Sequence, residues 1–217
     1  YKYNEDLFKK ISVIPEGKNH GLIFILDWSG SMNFVLRDTV KQLLNLVWFC
    51  KKVNIPFEVY AFTNDYPLID ERTGCREISY EKKSGLVYVP EWFSMMNFLT
   101  SKVNGKVLDE QMKNIFRIAY SHDYHCSFRA PVGLGLSGTP LNEAMISLHQ
   151  ILPKFKEEHK LQKVQCVVLT DGEGCSLRYH RQIERGFVDG PFLVNGIIGH
   201  RCVLIYRGTR NTYTMSD

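Results

Sequence analysis

Three short segments hold the side chains best suited to chemistry. Asp27-Trp28-Ser29-Gly30-Ser31-Met32 follows a continuous apolar run, Ser137-Gly138-Thr139-Pro140-Leu141 opens a helical pattern, and Thr170-Asp171-Gly172-Glu173 follows a second apolar run. Asp27 and Asp171 supply carboxylates; Ser29, Ser31 and Thr139 supply hydroxyls. All are hard oxygen donors, which suit Mg²⁺, or Mn²⁺ or Ca²⁺, rather than Zn²⁺. Two carboxylates neutralise a 2+ charge and the hydroxyls add none. Mg²⁺ takes six oxygens, so water or an incoming carboxylate has to complete the shell. Gly30 permits a tight turn that aims Ser29 and Ser31 at one point, and Gly172 does the same after Asp171. Ser-Gly-Ser and Asp-Gly are each ordinary turn sequences. Only the conjunction of three segments carries weight.

The elements around them explain how residues more than a hundred positions apart can meet. Gly21–Leu26, Phe57–Phe62, Val164–Leu169 and Arg201–Tyr206 are strand-length and largely apolar, as expected of strands buried on both faces of a parallel sheet. Between the first two, Val40, Leu43, Leu44, Val47 and Trp48 recur at helical spacing within Asp38–Lys51. Asn54-Ile55-Pro56 ends that helix. Leu141, Ala144, Met145, Leu148, Ile151 and Leu152 mark a second helix over Pro140–Leu152, with Pro153–Leu161 as its continuation or a further short helix. Alternation of strands and helices predicts an α/β fold with a doubly wound, mostly parallel sheet flanked by helices. In such sheets sites form at the carboxyl ends of the strands, where all three segments fall.

The chain reads as one domain over 1–217, with a lead-in at 1–20 and an irregular insertion or elaborated connection at 64–135. Within the latter, Tyr88-Val89 suggests a short strand, and Glu91–Ser101 and Leu108–Tyr120 suggest helices. Phe187–Ile198 has no clear period.

Asp27-x-Ser29-x-Ser31 with the distant Thr139 and Asp171 resembles the metal-ion-dependent adhesion site of von Willebrand factor A (vWA) domains, in the family's chain order. The flanking Ser29-Gly-Ser-Met32, Gly138-Thr-Pro-Leu141 and Leu169-Thr-Asp-Gly172 are similar to the family's phrasing. The likeness covers about 21–62 and 136–206 and is weak between them. It implies a Rossmann-like vWA fold, with Ser29, Ser31 and Thr139 coordinating the metal through hydroxyls. Asp27 and Asp171 would ligate it directly or through water. Leu26–Met32 and Val59-Tyr-Ala-Phe-Thr63 look most like the vWA domain of the cobaltochelatase T subunit and its phage-encoded relatives. That likeness implies a non-catalytic interaction module in a chelatase-like or MoxR-like assembly. There it would bind an Asp or Glu of a protein partner, with an AAA+ ATPase subunit as the expected partner. The expected compartment is the cytoplasm of a bacterium or phage-infected host. A surface adhesion domain of a cell or virion is the alternative, and a metal-dependent hydrolase a second.

Composition excludes less. The net charge of +4 over 217 residues carries no concentrated basic patch beyond Arg178–Arg185, which reads as a solvated loop, so nucleic acid is not the expected partner. No apolar run reaches the roughly 18 residues of a membrane span. The chain begins at Tyr1 rather than Met and reads as a piece of a longer one. Cys50, Cys166 and Cys202 lie in apolar segments and read as core. Cys75 and Cys126 lie in polar stretches and could pair, though a reduced protein is the expectation. His122-Asp-Tyr-His125-Cys126 lacks a fourth ligand for zinc. Cys175 reads as a spectator near the site and Glu173 as a second acid or a turn residue. Trp28 either shields the site or packs on the surface. A Ser29–His200–Asp171 triad lacks the Gly-x-Ser-x-Gly elbow, and there is no Walker A sequence.

Overall fold

The computed structural model describes residues 19–65, 82–90, 92–123, 129–172, 174–183, 192–198, 203–205 and 212–214. In chain order these form β1 (His20–Asp27), a 3₁₀ turn (Ser31–Phe34), α1 (Leu36–Lys52), β2 (Phe57–Thr63), β3 (Val87–Tyr88), β4 (Ser94–Thr100) and α2 (Gly105–Ser121). α3 (Leu141–Glu158), β5 (Lys163–Leu169), β6 (Arg178–Ile183), β7 (Phe192–Ile197), β8 (Val203–Ile205) and β9 (Thr212–Thr214) follow.

β1 is apolar from Leu22 to Leu26, so it needs cover on both faces and neighbours on both edges. It has both. β2 pairs with it in parallel from Leu22↔Phe57 to Asp27↔Phe62. β5 pairs in parallel on the other edge from His20↔Lys163 to Leu26↔Leu169. β4 adds antiparallel to β2, giving the order β4-β2-β1-β5. Strand alternation then sorts the core. Phe24 and Leu26 pack with Val59 and Ala61 against Leu36, Val40, Leu43 and Val47 of α1 and Leu108, Met112 and Ile115 of α2. Ile23, Ile25 and Phe62 pack against Ala144, Leu148 and Phe155 of α3 on the opposite face. Each such side chain contributes roughly 1.5–3 kcal/mol by burial. The result is an α/β sheet of mostly parallel strands covered by helices on both sides, compatible with a Rossmann-like arrangement.

Several expectations need correction. The stretch expected as a helix over Glu91–Ser101 contains β4, because pairing with β2 supplies hydrogen bonds that an isolated helix would have to beat. A register shift between Val59 and Tyr60 breaks its alternation. The middle of the chain is thus less irregular than expected, since β4 joins the main sheet and α2 covers it. β5 is not buried on both faces: its side chains are half-buried or exposed, Cys166 is exposed rather than core, and among the described residues it has a hydrogen-bonded neighbour on one side only. Arg178–Ile183 is a strand of a second sheet, β3-β6-β7, rather than a loop. There Arg178 lies over Trp92 and His180 stacks on Tyr88. Trp48, expected on the buried face of α1, is half-exposed beneath the Lys51 ammonium. Pro153 lies inside α3, which runs through it to Glu158. Val203–Ile205 pairs with β9. Cys75, Cys126, Cys202, Glu173 and His200 lie outside the described residues, as do positions 1–18.

Gly21 shows how closely β1 approaches the end of α3. A Cβ there would overlap Leu161 Cδ1 and lie 2.7 Å from Phe155 Cε1. Gly21→Ala is expected to destabilise the fold by about 1–3 kcal/mol through overpacking, measured by denaturant unfolding. Gly172→Ala, whose Cβ would meet nothing within 4 Å, is the near-neutral control.

Candidate metal centre

The carboxyl ends of β1 and β5 lie side by side, and that places Asp27 next to the Thr170–Asp171 turn. Asp27 is fully buried. Its Oδ2 accepts a 2.6 Å hydrogen bond from the Thr170 hydroxyl, while its Oδ1 has no partner. Burial pushes this carboxyl above the usual carboxylate range, and the like charge of Asp171 adds to the effect. Hydrogen bonds from Thr170 and from the Ser29 hydroxyl and amide oppose them. A buried, unpartnered carboxylate oxygen is costly unless something else meets it.

Beyond Asp27 the chain turns at Gly30 into the 3₁₀ helix, with Met32 N–H donating to Ser29 O at 3.2 Å and Asn33 N–H to Gly30 O at 3.3 Å. The turn brings the two serines together: Ser29 Oγ lies 3.0 Å from Ser31 Oγ. Ser31 Oγ donates to Asp171 Oδ1 at 2.9 Å. Because Ser31 spends its only proton there, Ser29 is the donor between the serines. Thr139 arrives from a third direction. Ser137 bridges Ser29 in parallel, and Gly30 N–H donates to Ser137 O at 2.6 Å. Thr139 follows two residues later, its own carbonyl accepting from Cys175 N–H at 2.8 Å. The structure therefore links Ser29, Ser31 and Asp171 directly, joins Asp27 to them through Thr170, and fixes Thr139 beside them through main-chain contacts.

What fixes the Thr139 loop escaped the sequence reading. Trp28 does not pack on the surface. It is fully buried, and its Nε1–H donates to Leu134 O at 2.9 Å. His122 Nε2 lies 3.1 Å from the same carbonyl, and burial lowers the pKa of this ring. A neutral His122 protonated at Nε2 makes that contact a hydrogen bond. From the end of β2, Asn64 Oδ1 accepts from Gly138 N–H at 2.6 Å and Asp65 Oδ2 from Gly135 N–H at 2.9 Å. A Cβ at either glycine would lie 2.8 Å from its clamp, so the close approach needs glycine at both. One signal was available: Asn64-Asp65 follows a buried parallel strand, as Asp27 and Asp171 do.

The other candidates are placed elsewhere. Asp123 of the His122–Cys126 segment pairs with Arg37 at 2.6 Å, and residues 124–128 lie outside the described residues. Among the described residues no three His, Cys, Asp or Glu side chains group as metal ligands; the rim offers two carboxylates and three hydroxyls. Cys50, Cys166 and Cys175 are free thiols. Among the described residues no helix is long and apolar enough to cross a membrane. No protein-family model matches the chain, no curated protein matches it, and no solved structure matches it. Function has to be read from the rim.

Two expectations follow. With its pKa raised on folding, Asp27 binds its proton more tightly in the folded than in the unfolded chain. The contribution of Asp27 to the stability of the metal-free protein therefore falls as pH rises from the ordinary carboxylate range through the raised value. Asp27→Asn should melt a few degrees above wild type at neutral pH without metal, and the difference should shrink towards pH 3, as followed by circular dichroism. Replacing both Asn64 and Asp65 by Ala should loosen the Thr139 loop. The expected cost in Mn²⁺ affinity, measured by calorimetry, is about 10–100-fold, the usual effect of removing groups that orient ligands.

Proposed function

We propose that the rim binds one divalent cation, Mg²⁺ in the first instance, and uses it to hold an Asp or Glu of a protein partner. The observation that carries this reading is Asp27 Oδ1, fully buried and without a partner at the edge of a cluster of oxygen donors. Asp27 and Asp171 supply the negative charge; Ser29, Ser31 and Thr139 supply neutral oxygens. The hydroxyl chain Ser29–Ser31–Asp171 is what such donors form among themselves. A cation would take the lone pairs of all three groups at once. Mn²⁺ or Ca²⁺ suits the same donors. The fold supports the reading in its coarse form, since ligands of open α/β sheets gather at the carboxyl ends of the strands.

The finer reading rests on the likeness of Asp27-x-Ser29-x-Ser31, Thr139 and Asp171 to the vWA adhesion site. By that likeness the chain is a vWA-type interaction module rather than an enzyme, and an AAA+ ATPase subunit in a chelatase-like or MoxR-like assembly is its partner. Where all five side chains ligate directly, one octahedral position stays open, and a partner carboxylate is its natural occupant. Asp171 and Ser31 are exposed, so that position faces outward while Asp27 anchors the cation from below.

Added Mg²⁺ should stabilise the fold. At a hundredfold excess over its dissociation constant the gain is about 2.7 kcal/mol, or roughly 5–10 °C in melting temperature for a chain of this size. EDTA should reverse it. Asp171→Ala should abolish the shift and leave the metal-free melting temperature within a degree or two of wild type, because the side chain is exposed. Scanning calorimetry decides: no shift with millimolar Mg²⁺ or Mn²⁺ removes the reading.

A further inference from the structure

Two ion pairs tie α1 to α2 near their ends. Arg37, at the start of α1, meets Asp123 just past the end of α2 at 2.6 Å, and Lys51, at the end of α1, meets Asp109 near the start of α2 at 3.0 Å. The helices therefore run antiparallel, and the seam between the two pairs is about 21 Å long at 1.5 Å of rise per residue. On the sheet side the seam is packed, with Val40, Leu43 and Val47 of α1 buried against Leu108 and Ile115 of α2. On the outer side the helices part. A groove of about 420 Å³ opens there, lined by Leu44 and Trp48 of α1 and by Asp109, Met112, Lys113 and Phe116 of α2. A neighbouring hollow lined by Asn45, Trp48, Phe49 and Lys52 shares Trp48 with it, so the two adjoin.

The outer face of a surface helix is ordinarily polar, and contiguous exposed apolar surface marks a contact site. Here Trp48 is 47% exposed and Phe49 55% exposed. Leu44 and Trp48 stand one turn apart on one wall, and Met112 and Phe116 one turn apart on the other, the spacing that receives an amphipathic helix. The charge around the groove is one-sided. α1 and α2 hold seven cationic side chains and three carboxylates. Each carboxylate is already paired: Asp38 with Lys41, Asp109 with Lys51, and Glu110 with both Lys113 at 3.3 Å and Arg117 at 3.6 Å. The Lys52 ammonium lies 6.0 Å from the centre of the Trp48 ring and pairs with no carboxylate among the described residues.

We infer that this groove is a docking site for an acidic amphipathic helix of a partner protein, about four turns long. Its apolar face fills the space between Trp48 and Phe116, and its Asp or Glu flanks meet Lys52 on one side and the two cations that share Glu110 on the other. Charge complementarity selects this occupant. A second copy of the chain would set the same excess of positive charge against itself, which is repulsive. A bilayer takes up one protruding apolar face, whereas these walls face each other across a hollow. The site uses none of the five oxygen donors of the rim, so it stands whether or not a cation binds there.

The test uses blocked synthetic helical peptides of about 14 residues, the length of the seam. One has Leu at helical spacing along one face and Glu on both flanks, a second has the same residues in scrambled order, and a third has Lys in place of Glu. Binding is read by fluorescence polarisation in EDTA, which keeps any cation at the rim out of the measurement. Wild type should prefer the first peptide over each of the others by at least about tenfold, the effect of one well-placed contact. Trp48→Ser should lose that preference with an unchanged circular dichroism spectrum. Lys52→Glu, a change at an exposed position, should weaken the Glu peptide and strengthen the Lys peptide. Equal binding of the scrambled peptide, no binding of any, or affinity unmoved in both variants overturns the inference. So does binding of phosphatidylglycerol vesicles, or self-association in sedimentation velocity, that Trp48→Ser abolishes while the Glu peptide is not bound.

Discussion

A carboxylate buried at the end of the central strand is the constraint from which the site follows. Asp27 cannot be solvated, because β2 and β5 enclose it on either side and Trp28 and Ser29 beyond it are buried too. Thr170 donates to its Oδ2, and the Ser29 hydroxyl and amide also act on the carboxyl, yet Oδ1 is left without a hydrogen-bond partner. Left alone, an ionised carboxylate in such a place is a large cost. The group answers in one of two ways: it takes up a proton, as its raised pKa allows, or it meets a cation. The first sacrifices nothing but charge; the second needs more donors at the same point. Ser31 lies within hydrogen-bond distance of both Ser29 and Asp171.

The second half of the design is rigidity. The Thr139 loop is tied at four places to the ends of β1 and β2: Gly30 to Ser137, Trp28 to Leu134, Asn64 to Gly138 and Asp65 to Gly135. Three of the four use main-chain groups of the loop paired with a side chain, so the loop needs little regular structure to hold its place. Groups held this way do not have to be ordered when a ligand arrives, and the entropy of ordering them is spent on folding rather than on binding.

Much of this could be read from residue types, and the failures have physical causes. Asp27, Ser29, Ser31 and Asp171 were legible because each follows an apolar strand whose period is plain, and strand ends converge in a parallel sheet. β4 was misread because Phe93-Ser-Met-Met-Asn-Phe-Leu99 has apolar residues at both helical and strand spacings, and only pairing with β2 decides between them. Cys166 was misplaced because an apolar strand does not announce whether it is central or at an edge. Asn64 and Asp65 act only through tertiary proximity to two glycines seventy or more positions away. Trp28 carried no mark of which way its ring points; its partner carbonyl is 106 residues distant.

The way α1 begins sets where a change at the rim can travel. Ser31 belongs to a 3₁₀ turn that runs almost directly into α1 at Leu36. A 3₁₀ turn has strained hydrogen bonds and adapts more readily than an α-helix, so a shift of Ser31 towards a cation is absorbed first in Met32–Val35. Met32 and Leu36 resist, since both are buried in the core under α1 and α2. Between those two anchors the turn is open to solvent at Phe34, which is 81% exposed. Arg37, one turn further on, is pinned to Asp123 just beyond α2. A displacement of Ser31 is therefore taken up within the turn before it can reach the helices.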